Sequence, residues 1–179
     1  MKRSGLPFLP YMLGLLIGAA VTLHVLPGRI MARAMDRIES LGGDNDGARH
    51  APRVTAENQT IVRASPEILY SVCLFDLADG PIRVEATWPA DGNYASVSFY
   101  DANTNNFRAI NDRDVDALST SISLARPFDS DIPERTDESA WSPTTTGLIL
   151  YRRVIDASTD LAAAETERQG FTCTQMADQ

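Results

Sequence analysis

Residues 78–101 read ADGPIRVEATWPADGNYASVSFYD, and their alternation decides the fold class. Ile82, Val84, Ala86 and Trp88 alternate with Arg83, Glu85 and Thr87, the period-two pattern of a strand with one face buried and one in water. Ala78-Asp79-Gly80-Pro81 before this run and Pro89-Ala90-Asp91-Gly92-Asn93 after it are turn chemistry, because Gly supplies positive φ and Asp and Asn bond their own backbone. A second alternation follows between Tyr94 and Tyr100, with Ala95, Val97 and Phe99 set against Ser96 and Ser98. Upstream, LYSVCLFDL places Leu69, Ser71, Cys73, Phe75 and Leu77 on one face of a strand. Three consecutive strands joined by tight turns predict an antiparallel meander.

Downstream, the polar run from Asp101 to Asn106 leads to Phe107–Ile110 and a second polar patch, Asn111-Asp112-Arg113-Asp114. Leu118 to Leu124 is a further strand with Ile122 and Leu124 inward, and GLILYRRVI from Gly147 to Ile155 is another. Between them, Arg126 to Thr146 carries Pro127, Pro133 and Pro143 among many acids and reads as a long irregular excursion. Ser158 or Thr159 then caps a helix through Leu161, Ala164, Glu165 and Arg168, with Gly170 expected to end it in the left-handed conformation. The expected fold class is mostly β, α+β at the margin: an antiparallel β-sandwich or twisted sheet with one C-terminal helix, preceded by an N-terminal transmembrane helix.

That N-terminal helix is the uncharged run LPFLPYMLGLLIGAAVTLHVL, Leu6 to Leu26, which matches the ~20 residues needed to cross ~30 Å of hydrocarbon. A cleavable secretory signal competes, since Lys2 and Arg3 precede the run and Gly18, Ala19 and Ala20 are small, but the apolar stretch continues past those residues. The reading is an uncleaved anchor after a five-residue tail, with the lipid bilayer as its partner. Gly14 and Gly18 form a small-xxx-small pair through which two anchors can associate. Residues 27–41 follow as a juxtamembrane amphipathic helix, with Ile30, Ala34, Ile38 and Leu41 on one stripe, and residues 42–54 as a flexible linker. The globular domain then occupies residues 55–179.

Flanking charge does not orient the anchor, because Lys2 and Arg3 on one side are matched by Arg29, Arg33 and Arg37 on the other. Cys73 and Cys173 are the disulfide candidate; a bridge would close a loop of about a hundred residues, worth ~4 to 5 kcal/mol in the loop-entropy picture, and would place the domain in an oxidising, periplasmic compartment. Two buried thiols are the alternative.

Composition excludes several chemistries. From Thr55 onward twenty Asp and Glu face nine Arg, so nucleic acid is not an expected partner. Lys2 is the only lysine, which removes Schiff-base chemistry and a phosphate-gripping P-loop from the domain. Histidine is limited to His24 in the anchor and His50 in the linker, so no Ser/His/Asp or Cys/His set is expected in the domain. Neither a metal site nor a cofactor is expected, since two distant cysteines do not make a tetrahedral zinc site.

Leu69-Tyr70-Ser71, Asp76-Leu77 with Gly80-Pro81, Tyr94-Ala95-Ser96-Val97-Ser98-Phe99-Tyr100-Asp101 and Thr104-Asn105-Asn106-Phe107 together resemble the bacterial domain-of-unknown-function family 1254. The resemblance runs from about Asn58 to Arg153. It implies a β-rich fold and a bacterial envelope setting, with no agreed catalytic residues. In that family a second domain, of unknown-function family 1214, often follows in the same chain; this chain is similar to the short, anchored versions, which implies a separately encoded partner carrying it.

Candidate binding residues follow from side-chain chemistry. Asp101, Asn103, Asn105 and Asn106, with Arg113 close by, form an oxygen- and amide-rich cluster that suits Ca²⁺ or saccharide hydroxyls, but the favoured reading is an ordinary turn, and no bidentate Glu stands where a calcium loop needs one. Asp76, set among apolar residues, suits acid catalysis if buried and a turn cap if not. Arg152, beside Arg153, suits an anionic ligand or an ion pair with Asp76 or Asp101. The expected function is a membrane-anchored envelope module, noncatalytic and acting with a partner; the alternative is an enzyme or saccharide-binding protein using the Asp/Asn cluster.

Overall fold

The computed structural model describes residues 8–42, 47–55, 64–127 and 139–176. One long helix, α1 (Phe8–Ser40), precedes the strands β1 (Ala48–His50), β2 (Ile68–Asp76), β3 (Ile82–Thr87), β4 (Ala95–Asp101), β5 (Asn106–Asn111), β6 (Ser119–Ala125), β7 (Ser139–Trp141) and β8 (Thr146–Val154). Helix α2 (Leu161–Gln169) and strand β9 (Thr172–Gln175) complete the fold. A five-stranded antiparallel sheet in the order β1-β2-β8-β4-β5 faces a four-stranded sheet in the order β7-β6-β3-β9, in which β6 and β7 run parallel.

Strand alternation holds residue by residue. Phe75, Val97, Phe99, Ile149 and Tyr151 from the first sheet meet Val84, Ile122 and Leu124 from the second in one core, each at 2 % exposure or less. Burial of each such side chain contributes roughly 1.5 to 3 kcal/mol. The meander is corrected: β2 and β4 lie in one sheet and β3 in the other, so the two Gly-containing turns are arches between sheets. Alternation fixes which residues point inward, but it is satisfied equally by a hairpin and by two strands facing each other across a core. The β4–β5 connection is a true hairpin.

Helix α2 closes one end. Asp160, rather than Ser158 or Thr159, is its N-cap, accepting from the backbone N–H of Ala162 and Ala163. Gly170 ends the helix, but at φ −72°, not in the left-handed region. Its need for glycine is close approach, since a Cβ there would stand 2.2 Å from Thr87 Oγ1.

Part of the expected linker is structured. Ala48–His50 pair with β2 at Ser71–Cys73, and Ala48 is fully buried. Gly47 makes this possible: it adopts φ +76°, and its backbone passes so close to Cys173 that a Cβ would fall 2.2 Å from the Cys173 carbonyl oxygen. The edge of the first sheet is thereby pressed against β9 of the second.

The disulfide is also corrected. Cys73 on β2 and Cys173 on β9 are both buried thiols in the common core, and no bridge joins them. In native, non-reducing buffer neither thiol should react with an alkylating reagent, and both should react once the chain is unfolded without reductant. Protection surviving denaturation would contradict the thiol assignment.

The juxtamembrane segment continues α1 without a break through Pro27 and lies on the domain. Met31 is buried and Ala34, Met35 and Ile38 are half-buried, a helical stripe against β2 and β8 of the five-stranded sheet. The stripe is turned from the expected one, since Ile30 and Leu41 are each 55 % exposed. Arg29, Arg33 and Arg37 project from the exposed side.

Candidate docking surface

The outward positions of the five-stranded sheet are unusually apolar. Register places Leu74, Leu148 and Tyr100 in one row, Arg49, Val72, Leu150 and Ser98 in the next, and Tyr70, Arg152 and Ser96 in a third. Where α1 leaves this face it opens a groove of about 320 Å³, walled by Ile38, Leu41, Tyr70, Val72, Leu148 and Leu150. That volume is at the lower end of ligand and side-chain pockets. Val72, Leu148 and Leu150 are only half-buried, so the aliphatic floor is open to whatever approaches it.

Two arginines flank this floor with unused donors. Arg49 lines the groove, and its Nε is buried with no hydrogen-bond partner among the described residues. Arg152 donates from Nη2 to Ser98 Oγ at 3.2 Å, while its Nε is likewise buried and unpartnered among them.

The polar cluster does not line this groove. Asp101 is 3 % exposed and its carboxylate is consumed by its own turn: Oδ1 accepts from the N–H of Asn103 and of Asn105, both at 2.8 Å, and Oδ2 accepts from Asn105 Nδ2. These bonds hold Thr104 at φ +69°, a conformation a β-branched residue adopts only under constraint. Asn103 and Asn106 are exposed on the same turn. Asp101→Ala should lower stability by roughly 1 kcal/mol, the loss of three part-buried hydrogen bonds whose donors water can partly recover, and Asp101→Asn by less, as thermal unfolding of both variants would show. An unchanged midpoint for Asp101→Ala would remove the turn assignment.

The remaining candidates are dispersed. Asp76 is exposed and caps the next turn, accepting from the Ala78 N–H at 2.9 Å. Arg113 lies over the Tyr94 ring, 5.9 Å from its centroid. Arg152 meets neither Asp76 nor Asp101. Its neighbour Arg153 is buried and ion-paired, bonding Asp91 and Glu167.

One exclusion needs correction. His50 lies within β1, not in a linker, and its Nδ1 shares a 2.8 Å hydrogen bond with Ser71 Oγ. Ser71 has no exposure at all, so the pair offers no nucleophile to a substrate. The nearby Glu165 is committed to Arg168, whose hydrogen bonds hold its carboxyl below the usual range.

Sequence reasoning missed Arg49, Val72, Leu148 and Leu150. The signal was present: in LYSVCLF and GLILY both sets of alternate positions are largely apolar, the pattern of strands covered on both faces.

These features define a two-sheet β-sandwich carried on one long apolar helix, with an apolar outer sheet face. The chain belongs to the DUF1254 family of proteins of unknown function, whose profile matches residues 45–175. No curated protein matches it. Among solved structures, the fold is similar to the VPA0106 protein from Vibrio parahaemolyticus, at 14 % identity and TM-score 0.54, covering 71 % of this chain and 30 % of that one. An uncharacterised protein from Burkholderia cenocepacia aligns at 15 % identity and TM-score 0.43, covering 70 % of this chain and 33 % of the other. The chain thus spans about a third of the length of these two solved proteins.

Proposed function

We propose that this chain is a membrane-tethered, noncatalytic docking subunit of the bacterial envelope, whose outer sheet face receives a separately encoded protein partner. The observation that carries this reading is the open aliphatic floor of Val72, Leu148 and Leu150 in the groove beside α1. A partner supplying apolar side chains to the groove covers that floor, as interface cores ordinarily do. The length of the solved relative from Vibrio parahaemolyticus, of which this fold occupies 30 %, supports a setting in which the sandwich works beside further protein.

A protein carrying the family 1214 domain is the natural candidate for that partner. The tether is the Leu6–Leu26 run, of which the described part lies in α1; that helix is long and apolar enough to cross a bilayer. Periplasmic placement of the domain rests on the family's envelope setting alone, since the cysteines no longer argue for it. Gly14 and Gly18, with open space above both, leave room for a second anchor.

The test is purification of the tagged full-length chain from its native membranes in mild detergent, with a salt wash. A stoichiometric second protein should remain bound. Recovery of the chain alone would contradict the subunit reading.

A further inference from the structure

The Asp/Asn turn has a neighbour that the docking surface does not use. Gly28 of α1 packs against it: a Cβ on Gly28 would stand 3.2 Å from Asn103 Oδ1 and 3.7 Å from the Ala102 carbonyl oxygen. Gly28 is two residues beyond Leu26, the last residue of the apolar run, which is about 3 Å along a helix axis. The headgroup layer on each side of a bilayer is about 5 to 7 Å thick. The turn is therefore held at the depth of the headgroups.

Its surface suits that depth. Asn103, Thr104, Asn105 and Asn106 are exposed and uncharged, and the one carboxylate of the turn, Asp101, is buried and internally bonded. The Ala102 N–H donates to Thr144 Oγ1 at 3.0 Å, joining the turn to the equally uncharged loop Pro143-Thr144-Thr145. In a domain of strongly negative charge the exposed residues of the β4–β5 turn present only amides and a hydroxyl. The exposed Asp76 lies about 10 Å from β4 but stands opposite Thr146 in the β2–β8 register, and the Leu77 N–H donates to the Thr145 carbonyl, so Asp76 adjoins the 143–145 loop rather than the β4–β5 turn.

We propose that the β4–β5 turn is the domain's contact with the lipid headgroup layer, its amides and hydroxyl bonding phosphate and ester oxygens. This rests on reading α1 as a membrane span. The opposite end of the sandwich, marked by Ser158 beyond β8, then stands clear of the lipid, since nine residues of strand span about 27 Å.

The test uses full-length Leu16→Cys, Asn103→Cys and Ser158→Cys variants, labelled under native conditions in detergent, where Cys73 and Cys173 are buried. Each is reconstituted into phosphatidylcholine/phosphatidylglycerol vesicles containing lipids with nitroxides in the headgroup or in the acyl chain. The Leu16 label should be quenched by the acyl-chain nitroxide, and the Asn103 label should be quenched by the headgroup nitroxide at least threefold more than the Ser158 label. An unquenched Leu16 label would overturn the membrane span and the contact together. Quenching at Leu16, with Asn103 no more affected than Ser158, would overturn the headgroup contact alone. Gly28→Leu should push the turn away and reduce quenching at Asn103 while leaving Leu16 unchanged; retained quenching in that variant would overturn the role given to Gly28.

Discussion

Replacing Arg153 with alanine should lower the unfolding free energy by about 3 kcal/mol, the lower end of the cost of breaking a buried ion pair. Arg153 points inward from β8, opposite Leu69 and Ala95, and its side chain is 1 % exposed. Its guanidinium donates to Asp91 Oδ2 at 2.8 Å, to Glu167 Oε2 at 3.0 Å and to the Val154 carbonyl. One side chain thus joins the β3–β4 arch, helix α2 and β8, and its removal strands two carboxylates at the end of the core. The lower end of the range applies because Asp91 is 34 % exposed and water recovers part of its loss. Arg153→Lys should fall between, since an ammonium keeps the charge but not the planar fork. Urea unfolding of the full-length chain in detergent, followed by Trp88 and Trp141 fluorescence, measures all three proteins. A loss below about 1 kcal/mol for alanine would place the pair among ordinary surface salt bridges.

The same cluster sets the response to acid. Burial would raise the Asp91 carboxyl, but the Arg153 hydrogen bond and the Asn93 amides outweigh it and hold it below the usual range. Glu165 is lowered by its hydrogen bonds to Arg168. A carboxyl whose native pKa lies below its unfolded value binds fewer protons in the folded state. Its stabilisation is therefore present above the ordinary carboxylate range near ~4 and disappears as pH falls through the native values. Unfolding midpoints should be flat above about pH 5 and drop below about pH 4, with a shallower drop in Arg153→Ala. An acid limb unchanged by that substitution would show that Asp91 does not carry it.

Much of the fold was legible because strand periodicity reports burial directly. The inward sets of β2, β3 and β4, and Ile122 and Leu124 on β6, were read from alternation alone, which left a sandwich and a single twisted sheet both open beside the C-terminal helix; the structure has the sandwich. Strand partnership was not legible, because Gly80 and Gly92 serve an arch between sheets as readily as a hairpin. The three-residue strand β1 was hidden in a polar stretch whose order depends on Gly47 meeting Cys173, a contact between distant parts of the chain. Strand β7 falls in the proline-rich excursion and is too short to show a period. Residues 128–138 of that excursion lie outside the described residues, as do Leu6 and Pro7 of the anchor.

The candidate site divides in the same way. Asp101 and its amides were visible as a cluster, and their alternative reading as a self-bonded turn is the one the hydrogen bonds support. The docking face was less visible, because it depends on which strands lie side by side. Val72 and Leu150 are 78 residues apart in sequence and directly opposed in register. Arg49 and Arg152 become flanking groups of one surface only through that pairing.

Leu150→Glu is the substitution that bears on the docking surface most directly. Leu150 is half-buried in the groove floor and its side chain is outside the core, so the exchange should alter the unfolding midpoint little while burying a carboxylate in any complex formed there. Tagged wild-type and Leu150→Glu chains, purified in parallel from native membranes through the same salt wash, give the comparison. A stoichiometric partner on the wild type, reduced at least tenfold on a variant that unfolds at the same temperature, is the expected result. Equal recovery of that partner on both chains would place docking elsewhere and contradict the function assigned to this face.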